Sequence, residues 1–277
     1  MSNSKVLFQE LVKRIHVPEN EDEIQSIVYM ILEHQLGIKR SDVMMAKEFG
    51  SYNKGSLDLI IQRVNAQEPI QYILGDADFF GRKFLVNPSV LIPRQETELL
   101  IYRALKLSLP DQPKILDIGT GSGCIAITLA LEIPKSKVVA IDISQSALTT
   151  ALQNSNSLNA HVEFLTHDIL TEDLPIDRFD LIVSNPPYIS KEEKAGMQKN
   201  VLDYEPHLAL FSEGDPLLFY RKIAQQAKRS LRQNGQVVVE INEHFGKETL
   251  SILQVAGFLK CELIKDMQNK DRIIVAQ

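Results

Sequence analysis

The chain has 277 residues, 44% of them hydrophobic, and a formal net charge of −6. That is ample apolar material for one large core or two ordinary ones, and no stretch approaches the roughly 18 apolar residues of a membrane span. Lys5, Glu10, Lys13 and Arg14 near the start argue against a signal peptide, and the acidic balance argues against a protein that neutralises many backbone phosphates.

The expected compartment is therefore the cytoplasm, with no membrane association and no stable nucleic-acid binding. Cys124 and Cys261 lack metal-ligand spacing and read as reduced packing residues. The six histidines are scattered without a zinc pattern, so no metal site is expected.

Residues 1–75 carry helical periodicity. Ile24, Ile27, Val28, Ile31 and Leu32 follow an Asn20-x-x-Glu23 start signal, and Leu57, Ile60, Ile61 and Val64 repeat the spacing. Such a small helical domain serves either as a folding unit or as a docking surface, and position alone does not separate the two. Between 76 and 94, Phe79 to Val86 is aromatic and β-branched around Gly81, which predicts a linking hairpin. A helix is predicted to begin near Gln95-Glu96-Thr97-Glu98.

From residue 95 to 277 the chain reads as one α/β domain. After residue 113 short apolar runs alternate with helical segments: Ile115 to Ile118, Val138 to Asp142, Val162 to Thr166, Phe179 to Ser184 and Gln236 to Ile241. This rhythm predicts a mostly parallel, Rossmann-like sheet covered on both faces. Pro216 suits the first turn of a helix to about Arg232, Asn234-Gly235 a turn, and Gly257 a helix stop.

Gly119, Thr120, Gly121, Ser122 and Gly123 fall between the first of these strands and its helix. Glycine there permits positive φ and close ligand approach, next to the unpaired N–H groups of a helix start. Asp142 lies 23 residues after Gly119, near the ~20 at which an acidic side chain takes ribose hydroxyls. An adenosine-containing ligand is thus favoured, with capping of the next helix as the plainer role for Asp142. The loop is G-x-G-x-G, which leaves a nicotinamide cofactor and S-adenosylmethionine both open. Asp168, after the third strand, could meet an adenine amino group or be a solvated loop carboxylate.

Ser184-Asn185-Pro186-Pro187-Tyr188 ends the fourth strand. Two prolines donate no ladder hydrogen bond and force a stiff exit from the sheet. The Asn185 side-chain carbonyl and a proline-held backbone carbonyl can converge on one planar NH₂ group, and Tyr188 offers a flat face for stacking. Fixing a weakly basic nitrogen in line with a sulfonium methyl needs positioning more than a base. Asn185, Pro186, Pro187 and Tyr188 are the candidate catalytic residues; an Asx-turn is the plainer role for Asn185.

These motifs resemble Class I S-adenosylmethionine-dependent methyltransferases, and among them the peptide chain release factor N5-glutamine methyltransferases, the HemK/PrmC family. The resemblance also rests on Glu68 to Gly75, Phe79 to Leu100, Asp117 to Ile127, Tyr204 to Leu210, Asp215 to Ile223 and Lys270 to Val275. It implies an N-terminal domain that docks the release factor and a sheet whose last strand is antiparallel. It also implies S-adenosylmethionine as cofactor, S-adenosylhomocysteine as product, and a site formed by Gly119 to Gly123, Asp142, the Asp168-Ile169 corner and Asn185. Asn185 to Tyr188 would hold the glutamine amide of a Gly-Gly-Gln loop, with the protein acting as a monomer. Gln95, Pro216 and Asn242 depart from the family pattern, which has proline, glycine and glycine there. A DNA or RNA amino-methyltransferase presents a similar loop to an exocyclic amine and is the alternative, followed by a non-catalytic adenosyl-ligand sensor.

Overall fold

The computed structural model describes residues 2–174, 178–190, 193–212 and 214–277. Two compact units emerge, one of residues up to Gly75 together with Gln198–Tyr204, the other of Asp76–Met197 and Glu205–Gln277. No helix among the described residues is long and apolar enough to cross a membrane.

The first unit contains β1 (Ser2–Asn3), α1 (Ser4–Arg14), α2 (Glu21–Leu36), α3 (Arg40–Met44), β2 (Glu48–Phe49), α4 (Lys54–Asn65) and α5 (Ile70–Leu74). The Asn20 side chain caps α2 by accepting from the Glu23 N–H at 3.0 Å, satisfying a donor the helix leaves open. Gly37, left-handed at φ 65°, ends it. Val28, Ile31 and Leu32 of α2 and Leu57, Ile60, Ile61 and Val64 of α4 are buried in one apolar cluster. The β1–β2 pairing, only two residues long, has no periodic signal in the sequence.

The second unit begins with a hairpin, β3 (Asp76–Phe79) and β4 (Arg82–Leu85). Both turn residues have positive φ, Phe80 at 49° and Gly81 at 72°, the backbone of a tight two-residue hairpin. A 3-10 turn over Gln95–Thr97 leads into α6 (Glu98–Leu105). Then follow β5 (Lys114–Ile118), α7 (Cys124–Glu132), β6 (Lys137–Asp142), α8 (Gln145–Ser157), β7 (Val162–Thr166) and β8 (Phe179–Ser184). After a 3-10 turn at Glu193–Gly196 come α9 (Lys199–Tyr204), which belongs to the first unit, and then α10 (His207–Leu210), α11 (Leu218–Ser230), β9 (Leu231–Glu240), α12 (Gly246–Val255), β10 (Cys261–Lys265) and β11 (Asp271–Ala276).

Among the described residues seven strands form one sheet in the order β10-β11-β9-β8-β5-β6-β7. Strands β5 to β9 are mutually parallel, and β11 runs antiparallel to both neighbours. Alternate residues feed two cores: Leu116, Ile182 and Val237 meet Tyr220 and Ile223 of α11, while Ile115, Leu181 and Val238 meet α6, α7 and the hairpin phenylalanines. Burial on both faces is what makes these strands continuous apolar runs.

Four sequence expectations shift. The helix expected to reach Arg232 stops at Ser230, because Leu231 already pairs with Phe179. The Asn234-Gly235 turn is real but lies inside β9 as a bulge: partners jump from Phe179↔Leu231 to Leu181↔Gln236, and Asn234 has φ 67°. Pro216 precedes α11, where the Asp215 carboxylate accepts from the Leu217 N–H at 3.0 Å. The segment 198–204, expected within the 95–277 domain, packs with the helical unit, where the Tyr204 hydroxyl donates to the Ala66 carbonyl at 2.9 Å.

Candidate active site

Strand order reverses between β5 and β8, since β6 and β7 extend the sheet to one side of β5 and β8 and β9 to the other. Ligands of open parallel sheets bind beyond the strand ends at such a point. Ile118 pairs with Ser184 across it, and the Ser184 hydroxyl donates to the Ile118 carbonyl at 2.8 Å. The glycine loop after β5 and the Asn-Pro-Pro loop after β8 therefore leave the sheet side by side.

Gly119, Gly121 and Gly123 have φ of 73°, 55° and 81°, the region that favours glycine. A Cβ on Gly119 or Gly121 would meet nothing within 4 Å, so both present bare backbone to open space. At Gly123 a Cβ would sit 2.9 Å from Ile127 Cδ1 and 3.1 Å from Ala151 Cβ, so this glycine lets α7 approach α8. Asp142, at the end of β6, accepts from the Gly121 N–H at 2.8 Å and the Ser144 N–H at 2.9 Å. Each oxygen keeps a second lone pair. Burial raises the Asp142 pKa against these backbone bonds. The cap of α8 is Ser144, which accepts from Ala147 N–H at 3.2 Å.

Beneath the loop, Asp117 is fully buried and accepts from the Thr120 hydroxyl at 2.7 Å. Desolvation pushes its pKa to about 7. Cys124 is a free, buried thiol pushed up to about 12 by burial, which keeps it protonated and inert.

On the β8 side, Asn185 Nδ2 donates to Thr97 Oγ1 at 3.2 Å, and Thr97 Oγ1 donates to Glu240 Oε2 at 2.7 Å. The Tyr188 hydroxyl reaches Glu240 Oε1 at 3.3 Å. Glu240 ends β9, is 1% exposed, and is held near pKa 7 by desolvation. The Tyr188 carbonyl meets Asn242 Nδ2 at 3.4 Å.

A cavity of about 310 Å³ opens over both loops. Gly119, Thr120, Gly121 and Ser122 line it from the β5 side, Asp142, Asp168 and Ile169 from β6 and β7, and Asn185, Pro186 and Pro187 from β8. Two candidates stand apart. Gly123 packs helices, as above, and the Tyr188 ring packs against the sheet core beside Glu240 without lining the cavity. Asp168 likewise accepts one bond on each oxygen, from Leu170 N–H at 2.9 Å and the Thr171 hydroxyl at 2.7 Å, and keeps a second lone pair on each.

Residues outside the sequence candidates also line the cavity, among them Val90, Arg94, Thr97, Ile143 and His167. Arg94 is braced by the buried Glu205 carboxylate at 2.5 Å, which also accepts from Ile92 N–H at 3.4 Å. His167 directs Nδ1 to Glu172 at 3.1 Å, and its buried Nε2 has no hydrogen-bond partner. A histidine adjoining Asp168 at a strand end was the available clue to it. Among the described residues no group of three or more His, Cys, Asp or Glu is placed to hold a metal ion.

The family profile described as Methyltransferase small domain matches residues 95–218, and the PrmC N-terminal domain profile matches 7–75. A crystal structure of a methyltransferase from Pyrococcus furiosus superposes with a TM-score of 0.52 at 19% identity, covering 78% of this chain and 95% of that one, a likeness of fold. The release factor glutamine methyltransferase of Flavobacterium psychrophilum is 48% identical over 92% of both chains. That of Bacteroides thetaiotaomicron is 41% identical over 100% of this chain and 99% of its own. Similarity of this extent, spanning helical and sheet units alike, makes the chain a member of the release factor glutamine methyltransferase family.

Proposed function

We propose that this protein uses S-adenosylmethionine to methylate the side-chain amide nitrogen of the glutamine in the Gly-Gly-Gln motif of peptide chain release factors. The observation that carries the reading is the shared cavity bordered by two loops whose strands pair directly, Ile118 with Ser184. The curated relatives bear the corresponding name.

The residues fit such a cofactor. Bare backbone at Gly119 and Gly121 leaves room for a ligand, the cavity of about 310 Å³ lies in the range of cofactor sites, and the lone pairs left on Asp142 suit ribose hydroxyls. S-adenosylmethionine, when bound, supplies an electrophilic methyl group on a sulfonium. Thr120, Ser122, the Asp168-Ile169 corner and Asn185 complete the set of residues that would surround it.

The chain's own part is to hold the acceptor nitrogen. An amide nitrogen is barely basic, so alignment and electrostatic support dominate over proton abstraction. The Asn185 carbonyl and a backbone carbonyl stiffened by Pro186 and Pro187 accept from the substrate NH₂, and their support grows as positive charge builds on that nitrogen. Tyr188, anchored through Glu240, stiffens the far end of the loop. The helical unit docks the release factor, and the enzyme acts as a cytoplasmic monomer.

The test incubates the protein with methyl-labelled S-adenosylmethionine and purified release factors, with oligonucleotides in parallel, and locates the label by peptide mass. Label on the Gly-Gly-Gln glutamine is expected. Label on nucleic acid alone would overturn the reading in favour of an amino-methyltransferase.

A further inference from the structure

Glu240 is a carboxylate buried at the end of β9, outside the cavity lining. Around it stand Thr97 and Glu96 from the 3-10 turn, Tyr188 from the loop after β8, and Arg272 from β11. From α11, the Tyr220 hydroxyl donates to the Glu240 backbone carbonyl at 3.3 Å. An ionised carboxylate only accepts hydrogen bonds. The hydroxyls of Thr97 at 2.7 Å and Tyr188 at 3.3 Å must therefore be the donors.

A threonine hydroxyl has one proton. Once that proton points at Glu240, Thr97 Oγ1 can only accept from Asn185, 3.2 Å away. The amide must then present Nδ2 to Thr97, and Oδ1 is turned away from it. Because Thr97 is 3% exposed, water does not offer the hydroxyl an easy alternative. A protonated Glu240 could donate instead. Thr97 would then be free to donate to Oδ1, and the amide could turn its NH₂ toward an acceptor nitrogen that needs a carbonyl.

We propose that Glu240, acting through Thr97, sets the direction of the hydrogen-bond chain that holds the Asn185 carbonyl toward the methyl-accepting amide. Glu240 and Thr97 are positioning residues, and the assignment rests on the Asn185 clamp proposed above. Desolvation keeps the Glu240 pKa near 7, with Arg272 opposing and Glu96 adding to the rise, so the ionised, correctly directed chain prevails above neutrality.

The experiment compares Thr97→Val, Thr97→Ser, Glu240→Gln and Asn185→Ala in the full chain. It reads steady-state transfer to a purified release factor from pH 6 to 8.5 and S-adenosylhomocysteine affinity by calorimetry. Loss of one orienting hydrogen bond predicts a fall of about tenfold or more in kcat/KM for Thr97→Val, with analogue affinity within about twofold. Thr97→Ser, which keeps the hydroxyl, restores most of it. Glu240→Gln, which cannot ionise, flattens the acid limb of the pH profile near 7. Parent-like kcat/KM in Thr97→Val, or failure of serine to rescue, overturns the chain. If Asn185→Ala is crippled while Thr97→Val is not, only the chain falls; if Asn185→Ala is undiminished, the clamp falls with it. Should Glu240→Gln not fold, the two threonine variants decide the matter.

Discussion

After β5 the chain turns on three glycines with positive φ, and after β8 it turns on two prolines. The strands are neighbours and the loops border the same cavity, yet one loop strips side chains away while the other stiffens backbone. The difference fits two partners. A small ligand laid against bare backbone needs close approach, which glycine permits; a protein amide presented from outside needs acceptors already fixed before it arrives. The sharpest way to break this division is Asn185→Ala. Methyl transfer should fall by a factor of about 10² to 10³, as when one positioned polar group is removed from a reacting centre, while S-adenosylhomocysteine affinity changes only a few-fold. A comparable loss of analogue affinity, by calorimetry, would mean that the β8 loop is a cofactor wall and the division is false.

Within the glycine loop a second contrast follows. Gly119 and Gly121 face open space, but a Cβ at Gly123 would collide with Ile127 and Ala151. Alanine at any of the three enters the left-handed region, at roughly 1–2 kcal/mol. Only Gly123→Ala adds overlap between α7 and α8, so its loss of stability should be about 2–3 kcal/mol. Urea denaturation of Gly121→Ala and Gly123→Ala measures the gap. Equal midpoints would show that Gly123 is not the packing glycine.

Much of this region was legible in the sequence because its chemistry is local. Gly119 to Gly123, Asp142 and Asn185 each sit within a few residues of a strand end that the apolar runs already marked. The pairing of Thr97 with Glu240 was not, since it joins side chains 143 positions apart, and no periodicity encodes which distant hydroxyl meets a buried acid. The sole trace is a carboxylate closing the run Val237-Val238-Val239-Glu240, where an acid without a partner would be costly. Tyr188 carries a related long-range fact: a tyrosine beside prolines reads as a stacking face, while in the fold its hydroxyl meets Glu240 and its ring packs on the core. The inclusion of 198–204 in the helical unit is likewise a long-range fact, recorded by Tyr204 reaching Ala66.

The two loops also rest on two buried acids, Asp117 below the glycines and Glu240 behind Asn185, both raised to about 7 chiefly by desolvation. Their unfolded values lie near 4. Between those limits the folded state binds more protons than the unfolded one, so stability is highest on the acid side of the window and declines as pH rises towards 7. The slope is at most about 1.4 kcal/mol per pH unit for each acid. Urea midpoints taken from pH 5 to 7.5 should fall, and Asp117→Asn or Glu240→Gln should each flatten part of the decline. If neither variant alters the slope, the acids are not the groups that titrate.

The smallest expected effect concerns the residue that follows the β9 core, Asn242. Its Nδ2 lies 3.4 Å from the Tyr188 carbonyl and 3.0 Å from Glu193 Oε1, while its Oδ1 accepts from His244 N–H at 2.9 Å. Glu193 in turn accepts from the Ser190 N–H at 2.8 Å. Desolvation works to raise the Glu193 pKa, but its bonds from Asn242 and Ser190 outweigh it and the net shift is downward. One amide thus braces the exit of the Asn-Pro-Pro loop against Glu193, where a glycine would leave both unbraced. Asn242→Gly removes the bonds to Tyr188 and Glu193 without touching Asn185, so about 0.5–1.5 kcal/mol of bracing is lost. The cofactor loop does not share that brace, so the expected result is a rise of a few-fold in KM for the release factor with kcat and S-adenosylhomocysteine affinity near the parent's. A fall in kcat at unchanged KM would instead place Asn242 in the support of the reacting amide, on the same footing as Thr97.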